Sequence, residues 1–286
     1  MCRLPDTRGM KNEVIICKSQ RFSFDHAIRT VGGVFVEIGD GSSTAAWEME
    51  SAIGDKTAFC LWVADHNEAG ALPFETFRDI ARAHGIPILV DNAAEVPPAS
   101  NLRKYSDLGA DLVVFSGGKG IKGPQSAGLI LGGQDLIDAC AANSSPNTRI
   151  GRPLKVGKEE LCGMVAALEL YLEEISKKER GIWEGMVAHI VGRLQGIPHV
   201  KAWRHFPYRR YRDVPIVVVE LGDGLGLTAA EVLEKMLEKD PPIYAYAPKE
   251  GFGYPSGKGF ILNPHTMLEG EEVIVVERLR EILDRF

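Results

Sequence analysis

The stretch Asp111-Leu-Val-Val-Phe-Ser-Gly-Gly-Lys-Gly-Ile-Lys-Gly-Pro-Gln-Ser126 decides the fold of this chain. Its apolar first half predicts a buried strand, and its glycines predict a turn that begins where the strand ends. Ser116 and Lys119 lie in that turn, three residues apart. We expect Lys119 to be poorly hydrated at the mouth of the strand, because desolvation favours the neutral amine that forms a Schiff base with an aldehyde.

A second apolar segment ends in a carboxylate. Ile86-Pro-Ile-Leu-Val-Asp-Asn-Ala-Ala94 predicts another buried strand, with Asp91 at its carboxyl end. Ligands of open α/β sheets bind beyond the carboxyl ends of the strands, so Asp91 and Lys119 are expected to face one crevice. A Schiff-base lysine and an aspartate on the pyridinium nitrogen are the groups that pyridoxal phosphate (PLP) requires.

Apolar runs and helical patterns alternate through the first half of the chain. Near-continuous apolar strands separated by helices indicate a mostly parallel sheet that is covered on both faces. The fold class predicted for this part is therefore a three-layer α/β/α large domain. The predicted strands are 14–17, 34–38, 58–63, 86–90, 112–115 and 127–131, and the predicted helices are 24–31, 43–53, 73–84 and 101–108.

The second half of the chain has a different order of predicted helices and strands. A long amphipathic helix is predicted over Lys158–Lys178. A strand at 216–220, a helix at 228–239, a strand at 260–263 and a closing helix at 270–283 then predict a smaller α+β domain. We place the boundary near Gly151, which gives a large domain at 1–150, and a connecting helix with a small C-terminal domain at 151–286.

Composition and charge are ordinary for a soluble globular protein. Of the 286 residues, 45% are hydrophobic and 25% are charged, and the net charge of −6 argues against nucleic acid or an anionic membrane as a partner. The five cysteines have no paired spacing, which fits reduced thiols in a cytoplasm better than a disulfide framework or a zinc site. We expect no metal, no membrane span, no signal peptide and a cytoplasmic location.

Several segments carry a family likeness over nearly the whole chain. On these segments the chain resembles fold-type I PLP-dependent enzymes of the aspartate aminotransferase superfamily, and within them the branch of bacterial selenocysteine synthase (L-seryl-tRNA selenium transferase) and D-glucosaminate-6-phosphate ammonia-lyase. Two of the segments, Phe115–Lys119 and Ile150–Lys158, resemble the ammonia-lyase more than the selenium transferase. The segments are Leu4-Pro-Asp-Thr7, Gly9-Met-Lys-Asn-Glu-Val14, Phe24-Asp-His-Ala27, Val90-Asp-Asn-Ala-Ala-Glu95, Gly123-Pro-Gln125, Phe115-Ser-Gly-Gly-Lys119 and Ile150-Gly-Arg-Pro-Leu-Lys-Val-Gly-Lys158.

The resemblance also implies that the chain begins inside the family pattern. In relatives, an N-terminal arm, a first strand and a small-residue loop on a helix N-terminus precede the segment that corresponds to Leu4-Pro-Asp-Thr7. That loop holds the cofactor phosphate through backbone N–H groups. We therefore expect a large domain that lacks its usual N-terminal part, through a misassigned start codon or a natural truncation. A natural truncation would lower cofactor affinity and activity.

The resemblance assigns catalytic and cofactor-binding roles. Lys119 would form the internal aldimine and remove the Cα proton, Asp91 would pair with the pyridinium nitrogen, and Ser116 would bind the phosphate. Each residue also has an ordinary interpretation. Lys119 could be a surface lysine, with Lys122 as the competing Schiff-base candidate, Asp91 could cap the following turn, and Ser116 could bond its own backbone.

Further residues beside the strand ends complete the predicted site. Gln20 stands where relatives place a residue over the cofactor ring, although glutamine cannot stack as the histidine of several relatives can. Within Asp65-His66-Asn67, His66 is the cofactor-binding candidate near O3′, and a polar loop is the equally weighted alternative. His26 could be an acid/base group or a core or capping histidine.

Three arginines are the candidates for binding an anionic substrate. Arg21 lies just past the first strand, and Arg149 and Arg152 lie in the linker between the domains. The rigid fork of arginine suits phosphate or carboxylate, while a solvated basic linker is the alternative for Arg149 and Arg152. The segment Ile243-Tyr-Ala-Tyr-Ala247 has no arginine where many superfamily members carry one, which argues against a standard aminotransferase.

The resemblance implies a PLP-dependent lyase of the ammonia-lyase type. Its substrate would be a β-hydroxy amino acid or an amino-sugar acid phosphate, and it would undergo α,β-elimination through a Lys119 aldimine in a homodimer or higher homo-oligomer. The alternatives are an L-seryl-tRNA selenium transferase-like enzyme and a truncated pseudoenzyme that acts as a partner-binding module. The sequence leaves the exact substrate open.

Overall fold

The computed structural model describes residues 3–64, 66, 68–209, 212–248, 252–253 and 256–284, without the side chains of 174–177. The chain divides into two compact units, Met1–Leu172 and Glu173–Phe286. The predicted domain boundary near Gly151 stays a prediction. The compact division falls later because Met164, Ala167 and Tyr171 pack into the core of the first unit.

A six-stranded sheet forms the centre of the first unit among the described residues. Its order is β2-β1-β3-β4-β5-β6, in which the first five strands are parallel and β6 runs antiparallel to β5. This arrangement confirms the predicted α/β class with a mostly parallel sheet. The strands are β1 (Glu13–Cys17), β2 (Val34–Ile38), β3 (Thr57–Val63), β4 (Ile88–Asp91), β5 (Leu112–Ser116) and β6 (Gly128–Gly132).

Helices connect these strands. Of the helices in the first unit, α5 was not predicted, because none of its residues is buried and no apolar stripe marks it. The helices are α1 (His26–Thr30), α2 (Ala46–Ala52), α3 (Phe74–Ala83), α4 (Asn101–Asp107), α5 (Gln134–Asn143) and α6 (Lys158–Leu170).

Both faces of the sheet are buried, as near-continuous apolar strands require. Side chains alternate between the faces along each strand. In β1, Ile15 and Cys17 pack into one hydrophobic cluster, and Val14 and Ile16 pack into another. The first cluster also contains Phe77 of α3, which is fully buried. The sheet therefore forms a rigid platform with its loops at the two ends of the strands.

The second unit is built around a three-stranded antiparallel sheet of β7 (Val200–His205), β8 (Ile216–Leu221) and β9 (Gly259–Leu262). Its helices among the described residues are α7 (Ser176–Leu194), α8 (Ala229–Leu237) and α9 (Glu271–Leu283). Strand β7 was missed in the sequence because charged residues interrupt its apolar pattern. No helix in the described part of the chain is long and apolar enough to cross a bilayer.

A local hydrogen-bond pair explains where α8 begins. The Thr228 hydroxyl accepts a hydrogen bond from the Glu231 N–H at 3.2 Å, and the Glu231 carboxylate accepts one from the Thr228 N–H at 2.8 Å. This capping box satisfies two N–H groups that have no partner inside the helix. The Thr-x-x-Glu pattern that begins the helix is therefore visible in the sequence alone.

Truncation of Phe77 tests the core of the first unit. Phe77 is 0% exposed, and its ring centroid lies 5.5 Å from that of Trp62. We expect Phe77→Ala to lower the free energy of unfolding by about 3–5 kcal/mol, through lost burial and the cavity that remains. Urea denaturation measures this loss. Leu154→Ala, at a residue that is 80% exposed, should change stability by less than about 0.5 kcal/mol.

Candidate active site

The turn after β5 is closed by its own backbone. The Gly117 N–H donates to the Ala127 carbonyl at 2.9 Å, and the Gly123 N–H donates to the Gly117 carbonyl at 2.8 Å. A Cβ atom at Gly120 would lie 2.0 Å from the Val96 carbonyl oxygen. Only glycine permits this approach, so the loop after β4 and the turn after β5 pack directly against each other.

Lys119 lies in the middle of this turn. Its side chain is exposed, so the predicted desolvation of Lys119 is wrong. The reason is local, because Gly118 and Gly120 on either side have no side chains that could cover the lysine. Its Nζ lies 5.9 Å from the centroid of the Phe24 ring. The turn thus presents an accessible primary amine beside an aromatic face.

Asp91 lies at the carboxyl end of β4 and is half-buried. Its Oδ1 accepts a hydrogen bond from the Ala93 N–H at 3.0 Å. Burial raises the pKa of the Asp91 carboxyl above its ordinary value, while the Ala93 hydrogen bond and the positive charges of Lys119 and His66 oppose this rise. The structure therefore brings together three of the predicted site residues, Asp91, Lys119 and His66.

Ser116 ends β5 beside this group. It is half-buried, and its N–H donates to the Ala93 carbonyl at 3.3 Å. The hydrogen bond joins the loop that follows Asp91 to the start of the turn that carries Lys119. No described contact tests the predicted phosphate-binding role of the Ser116 hydroxyl, which stays a prediction.

Gln20 is fully buried in a short 3-10 helix after β1. Its amide Nε2 donates to the Val63 carbonyl at 2.8 Å, and its Oε1 accepts from the Val63 N–H at 3.3 Å. Both ends of the amide therefore tie the exit of β1 to the end of β3. This pairing accounts for Gln20 structurally, and its predicted contact with the cofactor ring stays a prediction.

Arg21 is surrounded by partners within its own region. Its guanidinium pairs with the carboxylates of Asp25 and Glu37 and lies 4.2 Å above the Phe35 ring centroid. Two negative charges thus face one positive charge, and the Arg21 side chain is only 18% exposed. This charge balance favours a role in anchoring the loop over the predicted binding of a substrate anion, which remains untested.

The other predicted residues lie at more open positions. His26 is exposed at the start of α1, and Arg152 is exposed in the 3-10 helix Arg152–Leu154. Arg149 is half-buried, and its carbonyl accepts a hydrogen bond from the Arg152 N–H at 3.0 Å. Asp65 and Asn67 lie outside the described residues.

Sequence reasoning missed two aromatic residues beside the site. The ring centroids of Phe22 and Phe24 lie 5.4 Å apart, and those of Phe22 and His66 lie 5.0 Å apart. The three rings, which we call the aromatic row, run from His66 to the contact between Phe24 and Lys119. The signal that could have found them is the alternation Arg-Phe-Ser-Phe that follows β1 and the short 3-10 helix Lys18–Gln20.

A cavity of about 440 Å³ lies in the second unit. Part of its wall comes from Ile243, Tyr244, Ala245 and Tyr246, the segment in which the sequence has no arginine. Apolar side chains of β9 and α9, including Leu262 and Ile274, contribute another part. None of the predicted site residues lines this cavity, so its size does not make it the candidate active site.

Comparison with known proteins places this geometry in a family. The family model for L-seryl-tRNA selenium transferase matches residues 10–189. The D-glucosaminate-6-phosphate ammonia lyase of Salmonella typhimurium is 34% identical over 98% of this chain and 73% of its own length. The 5'-C-glycyluridine monooxygenase-decarboxylase of a Streptomyces species is 32% identical over 98% of this chain and 69% of its own.

A solved structure supports the same relationship as the sequence relatives. A structure of D-glucosaminate-6-phosphate ammonia-lyase superimposes with a TM-score of 0.84 at 31% identity, covering 99% of this chain and 74% of that one. The selenium transferase of Nitratidesulfovibrio vulgaris is more distant, at 24% identity over 97% of this chain and 65% of its own length.

The fold is that of the fold-type I PLP-dependent enzymes. The chain belongs to the L-seryl-tRNA selenium transferase family, with an ammonia lyase among its relatives above 30% identity. The resemblance, the fold class, the enzyme class and the PLP dependence inferred from the sequence are thereby confirmed for the family. The roles of the individual site residues stay predictions.

Substitution of Gly120 tests the contact between the two loops. We expect Gly120→Ala to lower the free energy of unfolding by about 1–3 kcal/mol, because the new Cβ would collide with the Val96 carbonyl and move the turn. Urea denaturation measures the loss. Gly54→Ala is the matched control, since a Cβ there meets no atom within 4 Å. Equal stabilities of the two variants would contradict the contact.

The buried carboxylate of Asp91 predicts a pH-dependent stability. Its raised pKa means that the folded state binds the proton more tightly than the unfolded state, so stability falls as pH rises through the interval between the ordinary and the raised pKa. We therefore expect Asp91→Asn, which keeps an acceptor for the Ala93 N–H, to raise stability at neutral pH. Urea denaturation of the cofactor-free protein should show this gain shrinking as the pH falls through that interval.

Asp55→Asn is the control for this experiment, because Asp55 is exposed. Asp55→Asn should leave the free energy of unfolding nearly unchanged, both at neutral pH and at the acidic end of the interval. A destabilised Asp91→Asn variant at neutral pH would show that the attraction of Lys119 and His66 outweighs desolvation, contrary to the raised pKa.

Proposed function

We propose that this protein is a PLP-dependent lyase that releases ammonia from a β-hydroxy amino acid or an amino-sugar acid phosphate. The observation that carries the proposal is the convergence of Lys119, Asp91 and His66 at the carboxyl ends of three neighbouring parallel strands. The relation to an ammonia lyase over 98% of the chain supports the reaction class.

The residues present at this edge fit the cofactor. Asp91 is a half-buried carboxylate whose pKa is raised by burial, and a pyridinium N–H would supply the hydrogen-bonded cation that such a group favours. Lys119 offers an exposed amine, and the glycines around it leave space for a planar ring. When bound, PLP supplies an electron sink that stabilises negative charge at the Cα of an amino acid.

The side chains divide the work of the reaction. Asp91 would hold the pyridine nitrogen in its protonated form. Lys119 would bind the cofactor through Nζ, and as a free amine it would accept the Cα proton of the substrate. His66 would contact the ring from the end of β3. Ser116 would bind the phosphate.

The chemical balance of the proposed elimination is simple. The Cα proton would pass to Lys119 Nζ and from there to the β-hydroxyl, which would depart from Cβ as water. The enamine that leaves the enzyme becomes an imine, and water hydrolyses it to ammonia and a keto acid. One water is released and one is consumed, so the reaction needs no oxidant or reductant.

A second candidate is selenium transfer to a seryl-tRNA. The match of the family model over residues 10–189 favours it. The net charge of −6 opposes it, because binding to tRNA depends on neutralisation of phosphates by basic residues. A gel shift of tRNA by the purified protein would favour this candidate over the lyase.

Assembly and location belong to the same proposal. We expect a homodimer or a higher homo-oligomer in the cytoplasm, because fold-type I sites are built at a subunit interface and the cysteines fit a reducing compartment. Light scattering measures the assembly state.

Two charge-conserving variants test the role of Lys119. Lys119→Arg and Lys122→Arg both keep a cation in the same loop, and both remove a primary amine. With PLP and borohydride, we expect mass spectrometry to find a pyridoxyl group on Lys119 of the wild type and of Lys122→Arg, and none in Lys119→Arg. Release of keto acid from a panel of β-hydroxy amino acids and amino-sugar acid phosphates should fall at least about a hundredfold in Lys119→Arg only.

The outcomes test the assignment of the PLP site separately from the assignment of the lyase reaction. A pyridoxyl group on Lys122 would contradict the assignment of Lys119. Labelling of Lys119 without release of keto acid from any member of the panel would keep the PLP site and reject the lyase.

A further inference from the structure

Phe24 is an exposed aromatic residue that the fold does not need for its core. Its side chain is 68% exposed, yet the Lys119 Nζ lies 5.9 Å from its ring centroid. This distance is at the outer limit of the range in which an ammonium is attracted to the negative face of an aromatic ring. Burial of apolar surface therefore does not account for the position of Phe24, while the amine offers a specific partner.

The surroundings of Phe24 hold its ring in place. Phe24 lies in the 3-10 turn Ser23–Asp25, in which the Asp25 N–H donates to the Phe22 carbonyl at 3.2 Å. The Asp25 carboxylate pairs with Arg21, and Asp25 is only 6% exposed. The Phe22 ring supports Phe24 at 5.4 Å, with an interplanar angle of 51°. The turn is thus anchored on its backbone, on an ion pair and on a second ring.

The charged groups around Lys119 and Phe24 are compatible with an ammonium–aromatic contact between these two residues. Asp91 attracts the Lys119 ammonium from the end of β4, and His66 shares the same carboxylate. Next to Phe24 in the chain, Arg21 pairs with both Asp25 and Glu37, and Lys122 follows in the same turn as Lys119. Among these groups, Asp91 and the Phe24 ring are the two that favour a positive charge on Nζ.

We propose that Phe24 is a positioning residue for Lys119, and that its ring face holds the Lys119 amine in the ammonium form. A cation–π contact stabilises the ammonium and gives nothing to the neutral amine, so it shifts the balance between the two forms. This inference rests on the proposed function for its purpose, because the ammonium is the form that Lys119 takes after it accepts the Cα proton. The contact itself exists without cofactor or substrate.

Competitive acylation of the cofactor-free protein tests the contact. Acetic anhydride reacts with neutral amines, and mass spectrometry compares the acetylation rate of Lys119 with that of Lys122 in the same peptide. At about pH 8, we expect Phe24→Leu to raise the ratio about two- to fivefold, the loss that corresponds to an exposed cation–π pair. Phe24→Tyr and Phe24→Trp keep an aromatic face and should leave the ratio at or below the wild-type value.

The pH profile separates charge stabilisation from simple shielding. At about pH 11, where the lysine amines are largely neutral, the ratio in Phe24→Leu should return to that of the wild type. A difference that persists at high pH would mean that Phe24 merely covers Lys119, and it would overturn the proposal. An unchanged ratio at pH 8 would also overturn it, as would equal effects of leucine and tyrosine.

Two controls keep the result interpretable. Leu154→Ala, at an 80% exposed residue of the same unit, should not change the ratio. The thermal midpoint of Phe24→Leu should stay close to that of the wild type, since the ring is mostly exposed. The acylation readout requires neither PLP nor turnover, so a failure of the lyase assay would leave it standing and a failure of the acylation would leave the lyase proposal standing.

Discussion

The parallel pairing of β3, β4 and β5 is the constraint on which the rest of the site depends. Backbone register sets Val63 beside Asp91 and Asp91 beside Val114, so the strands end together at one edge of the sheet. Residues that are distant in the chain, His66, Asp91 and Lys119, therefore meet just beyond that edge. Side chains buried on both faces of the sheet hold the strands together at this edge.

Close backbone contact at this edge converts strand ends into a site. The Gly120 backbone approaches the Val96 carbonyl too closely for any other residue, and the Ser116 N–H bonds to the Ala93 carbonyl. These two contacts join the loop of Asp91 to the turn of Lys119. Gly118 and Gly120 have no side chains that could cover the Lys119 amine. The arrangement therefore combines a rigid backbone with an accessible side chain. Rigid positioning of this kind is what lets a small number of groups do chemistry.

Charge is distributed unevenly across this region. Asp91 is a carboxylate that burial makes less acidic, and Lys119 and His66 partly compensate. Arg21, by contrast, is matched by Asp25 and Glu37 and contributes little free charge. The Gln20 side-chain amide likewise forms hydrogen bonds with the Val63 backbone. Two polar residues with positions suited to ligand binding thus hold the loop that carries Phe22 and Phe24, and the exposed Phe24 ring lies beside the Lys119 amine.

The sequence by itself determined the α/β class, most strand positions, the family and the meeting of Asp91 with Lys119. The family followed from the resemblance of short segments. The other inferences need no long-range information, because apolar runs have to be buried and the carboxyl ends of parallel strands share an edge. The tertiary structure alone decided that Lys119 is exposed, that Arg21 is neutralised and that Phe24 faces the lysine. Each of these depends on side chains from several loops and strands, whose approach is set by three-dimensional packing and leaves no periodic trace in the chain.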